Sequence, residues 1–248
     1  MSASGQPAPD PSAPLVSHSQ WGDDLLVWEY FGRKRDGVFL EAGANDPVHI
    51  SQTYLLEQQG WTGALVEPVP ECCDRLRPGR PGSRVFQNAL GAPDQRGMLR
   101  LAIPDGLSAL ASGLADGEQP KSGERVIEAP FITLSEVLDQ AGITRLDYLS
   151  LDLEGMELSA LKGLDFTRHA PKLIIVEDRL DNLSRHRFLL RAGYKLVKRN
   201  GSNNWYVPSA DPFPVSMGTR LRLFRKMYLS LPFRWFRDWS RRIRGKSD

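Results

Sequence analysis

The chain has only two cysteines in 248 residues, and they are neighbours, Cys72 and Cys73. Adjacent cysteines rarely bridge each other, and no spaced pair exists for a disulfide framework or a metal site. Two inert thiols in a reducing cytoplasm are the expectation. Long apolar runs are also missing: none approaches the ~18 residues that a membrane span needs. Residues 1–17 lack the basic start and apolar core of a secretion signal. They are rich in Pro, Ala and Ser and read as a disordered leader. No internal repeat is visible, and no RNA-binding motif accompanies the basic residues. Net charge is nearly absent too, at +2, but this hides an asymmetry. Ser216 to Asp248 holds ten Lys/Arg against two Asp/Glu, and the remainder holds 22 against 28. A mildly acidic body therefore carries a strongly basic tail.

What is present is a set of short apolar runs separated by helical patterns. Val38–Gly43, Thr62–Glu67, Ser83–Leu90, Tyr148–Asp152 and Leu173–Glu177 read as buried strands. Between and around them, helices are expected over Trp21–Phe31, Ile50–Gln59, Thr133–Ala141, 154–163 and 184–192. Thr133 with Glu136 three residues on makes a capping box. Strands alternating with helices imply an α/β fold, a mostly parallel sheet with helices on both faces. A closing hairpin, 195–198 with 205–207, adds one antiparallel strand. Met98–Ile103 pairs with 126–131, and 104–125, rich in Gly, Ser and Ala, reads as a mobile loop. The main domain is placed at 18–212, with the basic tail at 213–248.

In open α/β sheets a ligand lies beyond the carboxyl ends of the strands. Four strands here end in polar or acidic residues: Glu41/Asn45/Asp46, Glu67, Asp152/Glu154 and Glu177/Asp178. These would line one cleft. Gly43 allows close approach of a ligand. Glu67, followed by Pro68 at the tip of the second strand, suits bidentate bonding to two ribose hydroxyls. The G-x-G-x-x-G cradle is absent, because Asn45, Asp46 and Pro47 follow Gly43. The ligand would thus carry ribose without pyrophosphate, a description that S-adenosylmethionine meets. Asn88, with Ala89 beside it, is either an adenine reader or a strand-end turn residue. Asp152, at the central strand tip, is a candidate both for catalysis and for cofactor binding: it could orient the ligand's ammonium, bind an acceptor hydroxyl or help hold a metal. His186 is either a base or a solvated helix histidine. His49 is a candidate cleft residue, and His18 and His169 read as surface residues. Asp152, Glu177 and Asp178 offer oxygen ligands for a divalent ion, but no metal is expected.

Several of these stretches together resemble the FkbM-type methyltransferases. They are Phe39–Asp46, Gly60–Pro68, Asn88–Leu90, Leu146–Glu157, Ile175–Glu177 and Gly193–Tyr194, in matching order and spacing across about 36–208. The resemblance implies a class I, Rossmann-like fold that uses S-adenosylmethionine. It also implies O-methylation of a sugar, polyketide or other small hydroxylated acceptor. On that pattern Glu41, Gly43, Asn45 and Asp46 form the first cofactor motif, Glu67 is the ribose acid, and Asp152 and Glu154 belong to a D-x-E-G motif beside the transfer site. Pro47 stands where many relatives carry Gly, which stiffens the first turn.

Two other classes compete with this reading. One is a nicotinamide-dependent oxidoreductase, which the missing glycine fingerprint disfavours. The other is a non-catalytic membrane-associated binding protein with the same fold. In the tail, Met217, Leu221, Phe224, Tyr228 and Leu231 repeat at helical spacing among Arg220, Arg222, Arg225 and Lys226. Phe233, Trp235, Phe236 and Trp239 follow among further arginines. Such a segment fits an anionic membrane surface at the inner face of the membrane, or packing on the domain or on a partner in a homo-oligomer. Nucleic acid is the least favoured partner.

Overall fold

The computed structural model describes residues 15–104, 112–114, 118–178 and 182–230. Eleven strands and seven α-helices are found among them. The main sheet contains β1 (Val38–Ala42), β2 (Thr62–Val66), β3 (Ser83–Phe86), β8 (Tyr148–Leu151), β9 (Leu173–Glu177), β10 (Tyr194–Asn200) and β11 (Asn203–Pro208). Their order across the sheet is β3-β2-β1-β8-β9-β11-β10, and only β11 runs against its neighbours. The order reverses direction between β1 and β8, which places a crevice at their carboxyl ends.

The strands are apolar on both faces because helices cover both. On one face Leu40, Ala42, Leu149, Leu151, Ile174 and Val176 pack against α4 (Leu134–Ala141), α5 (Glu157–Lys162) and α6 (Ser184–Arg191). On the other, Phe39, Leu65, Tyr148, Leu173 and Ile175 pack against α1 (Asp23–Tyr30), α2 (Tyr54–Gln58) and α3 (Pro70–Gly79). The expected capping box is present at α4: Thr133 Oγ1 accepts from the Glu136 amide, and Glu136 accepts from the Thr133 amide.

A second, four-stranded sheet sits beside the first, in the order β4-β7-β5-β6. It comprises β4 (Ala89–Leu90), β5 (Met98–Pro104), β6 (Ser112–Gly113) and β7 (Glu124–Ile132). The expected strand over 83–90 is therefore two strands in two sheets. The chain leaves the main sheet at Gln87–Asn88, where the Asn88 amide side chain donates to the Pro130 carbonyl. The loop expected over 104–125 is interrupted by β6, which pairs with β5 at Leu101 and Ala102. Residues 105–111 and 115–117 lie outside the described residues.

Three other expectations shift. The helix expected from Ile50 begins at Tyr54. Ile50 adopts φ +62°, and the side chains of Ser51 and Thr53 turn inward to a buried carboxylate. The leader is expected over 1–17, but Ser17 donates to Asp24 at 2.5 Å, and the His18 amide donates to the same carboxylate; residues 1–14 lie outside the described residues. The described part of the tail forms α7 (Met217–Phe224) and a π-helical turn, Arg225–Leu229, and it packs on the domain. Leu223 and Met227 are buried, Met227 against Leu183 and Leu196. Among the described residues, no helix is long and apolar enough to cross a membrane.

Candidate active site

Three strand ends meet at one point. The Gly43 amide donates to the Val66 carbonyl at 2.9 Å, joining β1 to β2, and the Asp152 amide donates to the Ala42 carbonyl at 3.1 Å, joining β8 to β1. Gly43 has φ +80°, and a Cβ there would overlap the Asp152 carbonyl oxygen. Only glycine lets these turns touch. Around this point opens a crevice. Gly43, Asn45, Glu67 and Pro68 line one side, and Asp152 and Glu154 the other. The second sheet closes it with Asn88, Ala89 and Leu90, and with Leu99, Leu101 and Gly113.

Glu67 follows the last residue of β2, so its side chain leaves the strand end instead of a sheet face. One carboxylate oxygen accepts from the Asn45 amide and the other from the Val69 amide, both at 2.9 Å. Burial pushes this carboxyl above its usual range; the two amides and the nearby Arg75 pull it back only in part. Asn45 takes φ +46° to present its amide, a conformation asparagine tolerates better than most residues. Each Glu67 oxygen keeps a lone pair, enough for the two hydroxyls of a vicinal diol.

The opposite wall is acidic. Asp152 follows β8, and Glu177 ends β9. Oxygens of Asp152, Glu154 and Glu177 all lie within 4.8 Å of one another. Local desolvation, a hydrogen bond shared with Glu177, and the charges of Glu177, Glu154 and Glu157 push the Asp152 carboxyl up to about 8, although the residue itself stays solvent-accessible. Like charges this close cannot all ionise freely. The turn carrying them is held from behind. Glu157, buried, accepts from the amides of Leu153 at 3.1 Å and Gly155 at 2.9 Å. Arg185 reaches Glu157 at 3.4 Å and Asp178 at 2.8 Å, tying this turn to the end of β9. Asp178 also accepts from Asn204. It is thus engaged away from the acid group, and Glu154 stands where Asp178 was expected among possible ion ligands.

The crevice gathers eight of the residues singled out in the sequence: Gly43, Asn45, Glu67, Pro68, Asn88, Ala89, Asp152 and Glu154. Three candidates lie outside it. Glu41 does not line it. Its buried carboxylate accepts from Ser51, the Gln52 amide and Thr53, with Arg80 at 3.8 Å. Asp46 accepts from the amides of Val48 and His49 at 3.0 and 2.8 Å. Burial works against its ionised form, but those amides and Arg75 outweigh it and hold the carboxyl low. Asp46 therefore fixes a turn and does not line the crevice. His186 is neither solvated nor in the crevice: it is buried, Nδ1 at 3.1 Å from the Tyr206 hydroxyl and Nε2 at 2.9 Å from the Tyr228 hydroxyl. His49 is exposed and outside the crevice, and His169, read as a surface residue, is buried. Glu157 and Arg185 escaped sequence reading, although Glu157 closes the stretch Asp152–Glu157. The apolar wall residues Leu99 and Leu101 carried no signal beyond strand propensity.

The residues present fit an adenosine-bearing ligand better than a dinucleotide. The amides of Val48 and His49, which a pyrophosphate would need, already serve Asp46, and α2 starts well after β1 ends. No helix N-terminus follows the first turn directly.

Solved structures with similar folds include a TehB-like SAM-dependent methyltransferase from Corynebacterium glutamicum. The two share 14% identity over 75% of this chain and 86% of that one, with a TM-score of 0.39. A precorrin-6y C5,15-methyltransferase from Geobacter metallireducens shares 13% identity over 74% and 85%, with a TM-score of 0.39. No curated protein sequence matches the chain. The family profile described as Methyltransferase FkbM domain matches residues 41–196. That span runs from the end of β1 into β10 and includes every wall of the crevice, and by it the chain belongs to the FkbM family of S-adenosylmethionine-dependent methyltransferases.

Proposed function

We propose that the chain O-methylates a hydroxyl of a small molecule, sugar or glycan. The observation that carries this reading is the placement of Asp152 in one crevice with Glu67, its carboxylate within 4.8 Å of those of Glu154 and Glu177. S-adenosylmethionine would supply an electrophilic methyl group. Glu67 would hold its ribose hydroxyls, and Asn88 and Ala89, with Leu90, would flank the adenine. Asp152 would take the acceptor hydroxyl's proton as oxygen attacks. A base works best when its affinity for protons lies near the working pH, and Asp152 at about 8 meets that condition where an ordinary aspartate does not. Glu154 and Glu177 would accept hydrogen bonds from neighbouring hydroxyls, which suits a polyhydroxylated acceptor. Two buried free thiols suit a reducing cytoplasm.

The test is transfer of a labelled methyl group to hydroxylated acceptors, with the linkage assigned by mass spectrometry and NMR. A methyl ether supports the proposal. Label on nitrogen or carbon overturns it. Tight S-adenosylhomocysteine binding without transfer to any acceptor favours the non-catalytic alternative.

A further inference from the structure

We infer that α7 and the turn after it form a docking surface for an anionic phospholipid bilayer. The segment has two unlike faces. Leu223 and Met227 point inward, and the Tyr228 hydroxyl bonds His186. Met217, Leu221, Phe224 and Leu229 point outward at 77%, 60%, 51% and 55% exposure. Exposed apolar side chains of this size, clustered on one helical segment, mark a contact surface. Beside them Arg222, Arg225 and Lys226 line a shallow recess together with Leu229 and Ser230. Residues 217–230 contain no acid.

The two features ask for the same partner. The apolar side chains suit the acyl boundary of a bilayer, and the recess suits a phosphate headgroup. A second copy of this surface would bring the same positive charge against it, which disfavours self-association here. Nucleic acid would satisfy the arginines and leave Met217, Leu221 and Phe224 in water. The sequence beyond continues the pattern, with Phe233, Trp235 and Phe236 among Arg234 and Arg237. The surface is also fixed to the catalytic body. Met227 packs on Leu183 and Tyr228 bonds His186, and both lie in or beside α6, which follows the Glu177 strand.

Flotation of the intact protein with vesicles tests this. The protein is expected to float with vesicles containing phosphatidylglycerol and not with phosphatidylcholine alone, and to detach as salt rises. Leu221→Glu with Phe224→Glu, both at exposed positions, is expected to weaken binding at least about tenfold without changing the thermal midpoint. A paired Arg222→Glu and Arg225→Glu variant is expected to do the same. Absence of binding to any vesicle overturns the inference. So does equal flotation of the wild type and both variants. A wild-type dimer that dissociates in the Leu221/Phe224 variant, without vesicle binding, assigns the surface to a second copy instead. A shift on RNA without vesicle binding assigns it to nucleic acid.

Discussion

Glu67 and Asp152 share a placement that Glu41 lacks, and it explains which acids were legible as site residues. Both follow the last residue of a strand, so their side chains leave the sheet edge. Glu41 is inside β1, where side chains alternate between faces. It shares the α2 face with Phe39, and there meets Ser51, Thr53 and Arg80. An acid near the end of an apolar run looks the same in both cases; one position decides its role. Glu67→Ala is expected to weaken S-adenosylhomocysteine binding by at least ~1 kcal/mol, since it removes a charged acceptor. Calorimetry measures this, and unchanged affinity would remove Glu67 from the ribose site. Asp152→Asn should leave that affinity nearly intact and lower turnover by about 10²-fold or more. The pH dependence has a definite sign. The Asp152 carboxyl is raised to about 8, so below that pH it holds its proton and cannot act as a base. Turnover should therefore climb as pH approaches 8 and level off above it, and the climb should vanish in Asp152→Asn. A wild-type profile flat from pH 6 to 9 would exclude this role.

At the scale of elements, the strands were easier to read than the breaks between them. Apolar runs covered on both faces announce themselves. The split of 83–90 into β3 and β4 does not, because Val85, Phe86, Ala89 and Leu90 read as one run. What separates them is the long-range bond from Asn88 to Pro130. The tail shows a subtler failure. The stripe Met217, Leu221 and Phe224 has a core-like spacing, but it faces outward. The segment docks through Leu223 and Met227, which lie off that stripe, and through Tyr228, which lies on it. Periodicity finds an apolar face without saying what covers it. His186 sits at this junction, between Tyr206 from β11 and Tyr228 from the tail, with Asp178 and Arg187 acting on it from nearby. Burial lowers its pKa, with Asp178 opposing and Arg187 assisting. The folded state thus binds fewer protons than the unfolded chain near and below pH 6.5, so stability should fall as pH drops through that range. His186→Phe should remove this pH dependence and, by stranding two hydroxyls, cost about 1–3 kcal/mol near neutral pH. Thermal melts from pH 5 to 8 would show it; identical slopes for variant and wild type would refute it.

For the whole molecule, the division of charge sets a basic tail against an acidic body, and packing joins the described part of that tail to the body. Removing residues 216–248 would delete Met227 from its contact with Leu183 and Leu196, and would leave the His186 Nε2 without Tyr228. Burial of one methionine side chain contributes roughly 1.5–3 kcal/mol, and a stranded buried nitrogen adds about 1–3 kcal/mol to the loss. That cut is therefore expected to lower the unfolding free energy by about 2.5–6 kcal/mol, a large part of an ordinary domain's stability. It would also disturb α6, whose Arg185 ties the turn carrying Asp152 to the end of β9. Deleting only 231–248 spares both contacts. It should cost less stability than the longer cut, and lower vesicle affinity in proportion to the basic residues lost. Melting and calorimetry on the two truncations separate the alternatives. If the longer cut melts like the wild type, α7 is an appendage after all, and neither Met227 nor Tyr228 braces the catalytic body.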